Sequence, residues 1–173
     1  MLTTTQLGKK TALSVPKLCL GTMNFGEPGR GHQGDWTLGI DDARPIFEAA
    51  IESGLFYFDT ADIYGLGACE EVVGQILREL IPREEYVINT KVSMPMGRNP
   101  NLGGLSRKHI IEGLDNSLKR LGLEYVDQLI IHRHPHGIPG AHPAPIEETL
   151  EALHDVVKAG KAMHIGASSM FAW

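Results

Sequence analysis

The sequence has few cysteines, no long apolar run and no excess of positive charge. Its two cysteines, Cys19 and Cys69, are far apart and show no CxxC or Cys/His ligand spacing, so we expect two free thiols in a reducing compartment. No apolar run approaches the roughly 18 residues that a membrane span needs, and the N-terminus lacks the apolar segment of a secretion signal. These features predict a cytoplasmic protein that does not enter a membrane.

The charge balance argues against a nucleic-acid partner. The sequence contains 16 Lys and Arg residues and 21 Asp and Glu residues, which gives a formal net charge of −5. A protein that neutralises a phosphate backbone needs a basic excess instead. The hydrophobic fraction of 42% and the charged fraction of 21% are those of an ordinary globular protein. We therefore treat residues 1–173 as a single domain, in which residues 1–16 are predicted to form a β-hairpin around a turn at Gly8.

Five short apolar runs alternate with four helical patterns along the rest of the chain. The runs have the composition of strands buried on both faces and cover residues 18–23, 56–59, 86–91, 126–132 and 162–168. The helices are predicted to start at Asp41 or Asp42, Glu70, Ser106 and Pro145, and to stop at Gly54, Pro82, Gly122 and Gly160. Strands joined by helical crossovers form a parallel sheet, so the sequence predicts an α/β fold.

Four of these strands end in a polar residue: Asp59, Lys91, His132 and Ser168. Because parallel strands point the same way, their C-terminal ends share one rim, where α/β folds place their chemistry. A buried carboxylate is costly unless a cation meets it, so Lys91 is the expected partner of Asp59. Tyr64 follows Asp59 on the loop that leaves the strand, which adds a phenol to a candidate acid–base site.

Residues 29–34 match GxGxxG, the glycine pattern of dinucleotide-binding proteins, and they follow a strand. In that pattern the third glycine lies in the opening turn of a helix, whereas here residues 35–39 intervene before the helix begins. We therefore predict a loop beside the site instead of a Rossmann fingerprint.

A run of histidines after the fourth buried strand suggests zinc: His132, His134 and His136, with His142 beyond. The extra histidines lie on a loop rich in Pro and Gly, no thiolate accompanies them, and no helix sets a pair at i, i+4 spacing. The pattern therefore predicts no metal site.

Five short motifs together resemble the aldo-keto reductases. They are residues 20–23 (LGTM), 58–65 (FDTADIYG), 89–91 (NTK), 129–132 (LIIH) and 165–168 (IGAS), in that family's order and spacing. The resemblance covers essentially the whole chain. It implies a (β/α)8 TIM barrel, here only its first five strand-helix units after the hairpin, that binds NADPH across the C-terminal rim and reduces aldehydes or ketones to alcohols.

The resemblance also implies a role for each site residue. Tyr64 matches the general acid that protonates the carbonyl oxygen, and Lys91 matches the lysine whose positive charge favours the phenolate. Asp59 matches the carboxylate partner of that lysine, and His132 matches the imidazole that orients the small-molecule carbonyl substrate. The cofactor-binding positions are Gly21, Thr22, Met23, Asp59, Ser168 and Ser169.

Other interpretations of the same residues stay open. Asp59 and Lys91 taken alone are compatible with a structural ion pair, and Tyr64 alone with a surface tyrosine. Some relatives, the potassium-channel β subunits, serve partly as cofactor-sensing partners. A complete barrel needs about 250 residues, and this chain stops at Trp173, before the phosphate-binding loops that the family implies. An open sheet exposes its edges, so we expect these residues to be unstable alone and to be an inactive fragment unless further chain or a partner completes them.

Overall fold

The chain begins with a small antiparallel hairpin, as predicted. The computed structural model describes residues 2–9, 11–141 and 143–171. The sequence predictions also included Met1, Lys10, His142, Ala172 and Trp173, which lie outside the described residues. Strand β1 (Thr4–Gln6) pairs with strand β2 (Ser14–Pro16). The hairpin turn reaches the sheet described below, where Oγ1 of Thr11 lies 3.4 Å from Nε2 of His164. The hairpin therefore closes one end of the molecule.

Five parallel strands follow and form one sheet, which confirms the predicted α/β class. They are β3 (Leu20–Gly21), β4 (Tyr57–Asp59), β5 (Val87–Val92), β6 (Val126–Ile131) and β7 (Ala162–Ala167), hydrogen-bonded in that order. The register aligns their C-terminal ends, with Gly21 opposite Asp59 and Asp59 opposite Asn89. Sequential strands lying side by side in parallel are the arrangement expected for consecutive units of a (β/α)8 barrel.

Four α-helices supply the crossovers: α1 (Ile40–Glu52), α2 (Ala68–Leu80), α3 (Arg107–Leu121) and α4 (Ile146–Lys158). The cap of α3 is as predicted, because Oγ of Ser106 accepts a hydrogen bond of 3.2 Å from the backbone N–H of His109. At its other end Gly122 takes the left-handed backbone (φ 67°) that terminates a helix. Within the described residues, none of these helices is long and apolar enough to cross a membrane.

The start predicted for α1 was wrong by one or two residues. Gly39 occupies the cap position without a side-chain hydrogen bond, and Asp41 and Asp42 lie in the first turn instead. Carboxylates in a first turn are stabilised by the unpaired N–H groups and the helix dipole. An aspartate near the start of a helix is therefore favourable both at the cap and in the first turn, and the sequence alone does not distinguish the two positions.

The strand predicted over residues 18–23 was also too long. Only Leu20 and Gly21 pair with β4, while the side chains of Leu18 and Met23 are 61% and 48% exposed. This strand lies at the edge of the sheet and has one neighbouring strand, β4.

The helices cover one face of the sheet and bury the core there. Phe47 of α1 is fully buried and stacks on Phe58 of β4, with ring centroids 5.6 Å apart, while Phe25 and Tyr86 extend the same aromatic cluster. Each such side chain contributes about 1.5–3 kcal/mol by leaving water. The packing fixes the strands, and with them the residues at the strand ends.

An open cavity of about 1260 Å³ runs along β7 at the edge of the sheet. Its wall contains Gln128 and Ile130 of β6, residues 163–167 of β7, the turn of the hairpin, and Leu150, His154 and Val157 of α4. Asp59, Lys91 and Ser168 also line this cavity, which therefore extends to the C-terminal strand ends.

Candidate active site

The side chain of Lys91 is at the centre of the site. Its Nζ donates to Oδ2 of Asp59 at 2.7 Å, to the carbonyl oxygen of Thr60 at 2.9 Å and to the hydroxyl of Tyr64 at 3.2 Å. These contacts use all three donors of an ammonium group. Lys91 is only 7% exposed, so its charge is compensated mainly by Asp59. The predicted pairing of Asp59 with Lys91 is present in the structure.

Tyr64 lies directly beside this pair. It begins a short 3₁₀ turn (Tyr64–Gly67) between β4 and α2, and Nζ of Lys91 is 4.9 Å from the centroid of its ring. The ring of His132 meets the Tyr64 ring edge to face, with centroids 5.7 Å apart. The phenol is thus held between an ammonium group and an imidazole.

His132 follows β6, where its backbone N–H donates to the carbonyl oxygen of Val92 at 3.0 Å. The pKa of His132 is lowered from 6.5 to about 4, chiefly by burial and then by the positive charges of Lys91 and Arg133, while Asp59 opposes these effects. The imidazole is therefore neutral at neutral pH and carries one N–H donor. Its Nδ1 is buried and makes no hydrogen bond to any described residue.

The serines predicted to contact a cofactor lie at the end of β7, on the same rim. The backbone N–H of Ser168 donates to the carbonyl oxygen of Ile131 at 2.9 Å, which fixes the backbone next to His132. The hydroxyls of Ser168 and Ser169 are 3.4 Å apart, and Ser169 is exposed with a left-handed backbone (φ 49°). Both hydroxyls can therefore reach a group placed over the rim.

The three predicted positions at the end of β3 differ from one another. Gly21 borders open space, with no atom within 4 Å of the point where a Cβ would lie, and Met23 is exposed. Thr22 is fully buried, and its hydroxyl donates to the carbonyl oxygen of Asp59 at 2.8 Å and lies 3.2 Å from Sγ of Cys69. The Thr22 side chain therefore fixes the end of β4 and does not face the cavity.

The GxGxxG match forms a loop beside the site, as predicted, since α1 does not begin until Ile40. Gln33 is buried and donates to the carbonyl oxygen of Met23. Arg30 donates to the carbonyl oxygen of Leu66 at 3.1 Å. This loop therefore packs against the turn that begins with Tyr64.

Within the described residues, no three His, Cys, Asp or Glu side chains are grouped so as to hold a metal ion. The rings of His134 and His136 lie 6.4 Å apart. His142 was the fourth histidine of the zinc pattern and lies outside the described residues.

Sequence reasoning missed two buried acids behind the site. Glu70 was predicted to mark the start of a helix and does lie in the first turn of α2, but its complete burial and its bonds to Arg120 and Thr90 were not predicted. Asp62 is also buried, and neither carboxyl oxygen has a hydrogen-bond partner among the described residues. Burial first, and then the charge of Glu70, raise the pKa of Asp62 well above its ordinary value, and Arg120 opposes this. Asp62 was visible as a second acid in the 58–65 motif, whereas nothing in the sequence distinguishes Arg120 from a surface arginine.

Comparison with known proteins gives a consistent result. A sequence profile described as the Aldo/keto reductase family matches residues 17–173. The versiconal hemiacetal acetate reductase of Aspergillus parasiticus is 41% identical over 94% of this chain and 50% of its own length. A probable voltage-gated potassium channel subunit beta of Oryza sativa subsp. japonica is 41% identical over 76% of this chain and 38% of its own length. A crystal structure of a thermostable aldo-keto reductase with the inhibitor epalrestat is 32% identical over 96% of this chain and 53% of that chain, with a TM-score of 0.74.

The chain thus spans about half the length of the curated relatives it matches. The solved structures confirm that its parallel sheet and helices correspond to part of a TIM barrel. The family profile accounts for all of the chain after the hairpin, including every residue at the strand-end rim. The chain belongs to the aldo/keto reductase family.

Proposed function

We propose that this protein reduces aldehydes or ketones to alcohols with NADPH as the hydride donor, and that Tyr64 is the general acid. The observation that carries the proposal is the position of Lys91, whose ammonium group contacts both Asp59 and the Tyr64 hydroxyl. Family membership supports a small-molecule carbonyl substrate. The net charge of −5 supports a partner other than nucleic acid.

The chain's own residues provide the proton chemistry. A carbonyl oxygen that gains negative charge needs a proton donor within hydrogen-bond reach. Tyr64 donates that proton to the oxygen, and the resulting phenolate is stabilised by Lys91 at 3.2 Å. His132 is neutral at neutral pH, so it can donate its N–H to the same oxygen and orient the carbonyl without adding a second charge. Asp59 keeps the ammonium group of Lys91 in place.

Two features of the rim suit a nicotinamide cofactor. Gly21 allows a flat ring to approach the backbone, and the neighbouring hydroxyls of Ser168 and Ser169 can bind a carboxamide. When bound, NADPH supplies the hydride that is transferred to the carbonyl carbon. In our proposal Gly21, Met23, Asp59 and the two serines contact it, whereas Thr22 acts through its backbone.

We also propose a cytoplasmic location. Cys19 and Cys69 are both free thiols, and Cys69 is buried. A reducing compartment keeps such thiols free.

The test is a Tyr64→Phe variant, assayed by NADPH oxidation at 340 nm with 4-nitrobenzaldehyde. Loss of the proton donor should lower kcat by about 10²–10⁴-fold and leave the Kd for NADPH unchanged. Tyr125→Phe is the matched control, since its ring packs on Arg83 at 4.1 Å, away from the rim. Turnover by Tyr64→Phe at the unsubstituted rate would show that Tyr64 is not the acid.

A second candidate is a regulatory protein that binds NADPH without turnover. It is favoured by the similarity to the Oryza potassium channel subunit, which includes residues of the same rim. Tight NADPH binding with no oxidation across a panel of aldehydes, ketones and quinones would support this candidate over the reductase.

A further inference from the structure

The turn that carries Tyr64 has an unusual backbone. Gly65, Leu66 and Gly67 all have positive φ angles, of 59°, 49° and 93°. Leu66 has a side chain, and a residue with a Cβ is strained in this conformation. Such a turn keeps one shape only if the surrounding contacts determine it, so the position of the Tyr64 hydroxyl depends on those contacts.

Glu70 makes two of the contacts next to this turn. It lies in the first turn of α2, and its carboxylate is completely buried. One oxygen accepts a hydrogen bond of 2.7 Å from Nε of Arg120, and the other accepts one of 2.5 Å from Oγ1 of Thr90. A buried charge held by a cation and a hydroxyl is strongly fixed in position, because losing either partner leaves polar groups unpaired.

The two partners of Glu70, Thr90 and Arg120, lie next to the two segments that carry Lys91 and Tyr64. Thr90 immediately precedes Lys91 in β5 and is fully buried. Arg120 extends from α3 across Gly67, where a Cβ would clash with its side chain. Glu70 therefore connects the strand that carries Lys91 with the turn that carries Tyr64.

We propose that Glu70 is a positioning residue, which acts with Thr90 and Arg120 to set the distance between the Tyr64 hydroxyl and the Lys91 ammonium group. It touches neither the substrate nor the cofactor. This inference rests on the proposed reductase function, because the distance matters for turnover only if Tyr64 donates its proton to the substrate carbonyl oxygen and leaves a phenolate that Lys91 stabilises.

The first test separates positioning from folding. Thr90→Val removes one hydroxyl and leaves the Glu70–Arg120 pair intact, and Thr90→Ser keeps the hydroxyl. We expect Thr90→Val to lower kcat about tenfold while KM and the Kd for NADPH stay the same, and Thr90→Ser to restore turnover. Glu70→Gln should lower kcat by up to about 100-fold, the effect of misplacing a catalytic group by about 1 Å. Glu79→Gln is the matched control, as its carboxylate lies on the same helix, is 46% exposed and is bonded to Arg44, away from the Tyr64 turn.

The second test does not depend on activity. Amide hydrogen exchange should accelerate in residues 63–67 of Thr90→Val and Glu70→Gln, but neither in α3 nor in the control Glu79→Gln. Unchanged exchange there, or unchanged kcat in a folded Thr90→Val, would overturn the inference. If the unsubstituted protein oxidised no NADPH, the reductase proposal would fail, and the exchange result would still decide whether Glu70 orders the Tyr64 turn.

Discussion

The partly buried, neutral state of His132 predicts that acid destabilises this protein in a defined pH range. Its pKa is lowered from 6.5 to about 4 in the folded chain, chiefly by burial and then by the nearby charges of Lys91 and Arg133. The unfolded chain therefore takes up this proton near pH 6.5, before the folded chain does. The stabilising contribution is present above pH 6.5 and is lost as the pH falls towards 4.

The size of the effect follows from the shift. At about 1.4 kcal/mol for each pKa unit, the shift corresponds to about 3 kcal/mol of unfolding free energy. His132 is only partly buried, so solvent screening reduces this to about 2 kcal/mol. That is a large fraction of the stability of a small domain.

The assay is urea denaturation followed by circular dichroism at 222 nm, at intervals between pH 7.5 and pH 4.5. We expect His132→Gln, which cannot take up the proton, to lose about 2 kcal/mol less than the unsubstituted protein over this range. His109 retains part of the acid dependence in both proteins, because burial also lowers its pKa. If the two proteins lose stability in parallel, His132 is not held neutral by its surroundings and the reasoning is wrong.

Three further predictions concern the residues around the site and between the helices. Burial raises the pKa of Asp62, so ionisation of this carboxyl in the unfolded chain lowers the free energy of unfolding as the pH rises above the ordinary pKa of an aspartate. Asp62→Asn should therefore be more stable than the unsubstituted protein at pH 8, and the difference should shrink as the pH falls towards 4. A constant difference across that pH range would contradict a protonated Asp62. Lys91→Met should lower turnover of 4-nitrobenzaldehyde by about 10²-fold or more, and an active Lys91→Met would remove Lys91 from the mechanism. Gly74→Ala should cost about 1–3 kcal/mol in urea denaturation, because its Cβ would lie 2.6 Å from Cα of Leu121. Gln75→Ala, on the exposed side of α2, is the control. If Gly74→Ala and Gln75→Ala were equally stable, α2 and α3 could move apart at Gly74 without a loss of stability.

The loop over residues 24–37 shows that a local sequence pattern does not predict the tertiary contacts of the residues that carry it. Its glycines resemble a phosphate-binding motif, and only the absence of an immediate helix argues against that function. In the structure Gln33 is buried against Gly65, where a Cβ would lie 3.3 Å from Cδ of Gln33. That contact joins residues far apart in the chain, so no local pattern could predict it.

The sequence by itself determined the strand and helix order, the parallel sheet and the clustering of Asp59, Lys91 and His132 at one rim. Apolar periodicity and the shared direction of parallel strands are enough for these conclusions, since each depends on local composition and a general topological rule. Helix boundaries were less certain, as the start of α1 shows, because a cap and a first-turn acid look alike in a sequence.

Only the tertiary structure decided how the acids of the site are used. Glu70 and Glu71 are adjacent and chemically identical, yet one is fully buried on Arg120 and the other is exposed on Arg30. Thr22 was predicted at the cofactor, and packing against Asp59 and Cys69 turns its hydroxyl inward. The physical reason is that burial and charge pairing are set by side chains that the fold brings in from distant segments. A sequence pattern identifies which groups can ionise, and their surroundings decide whether they do.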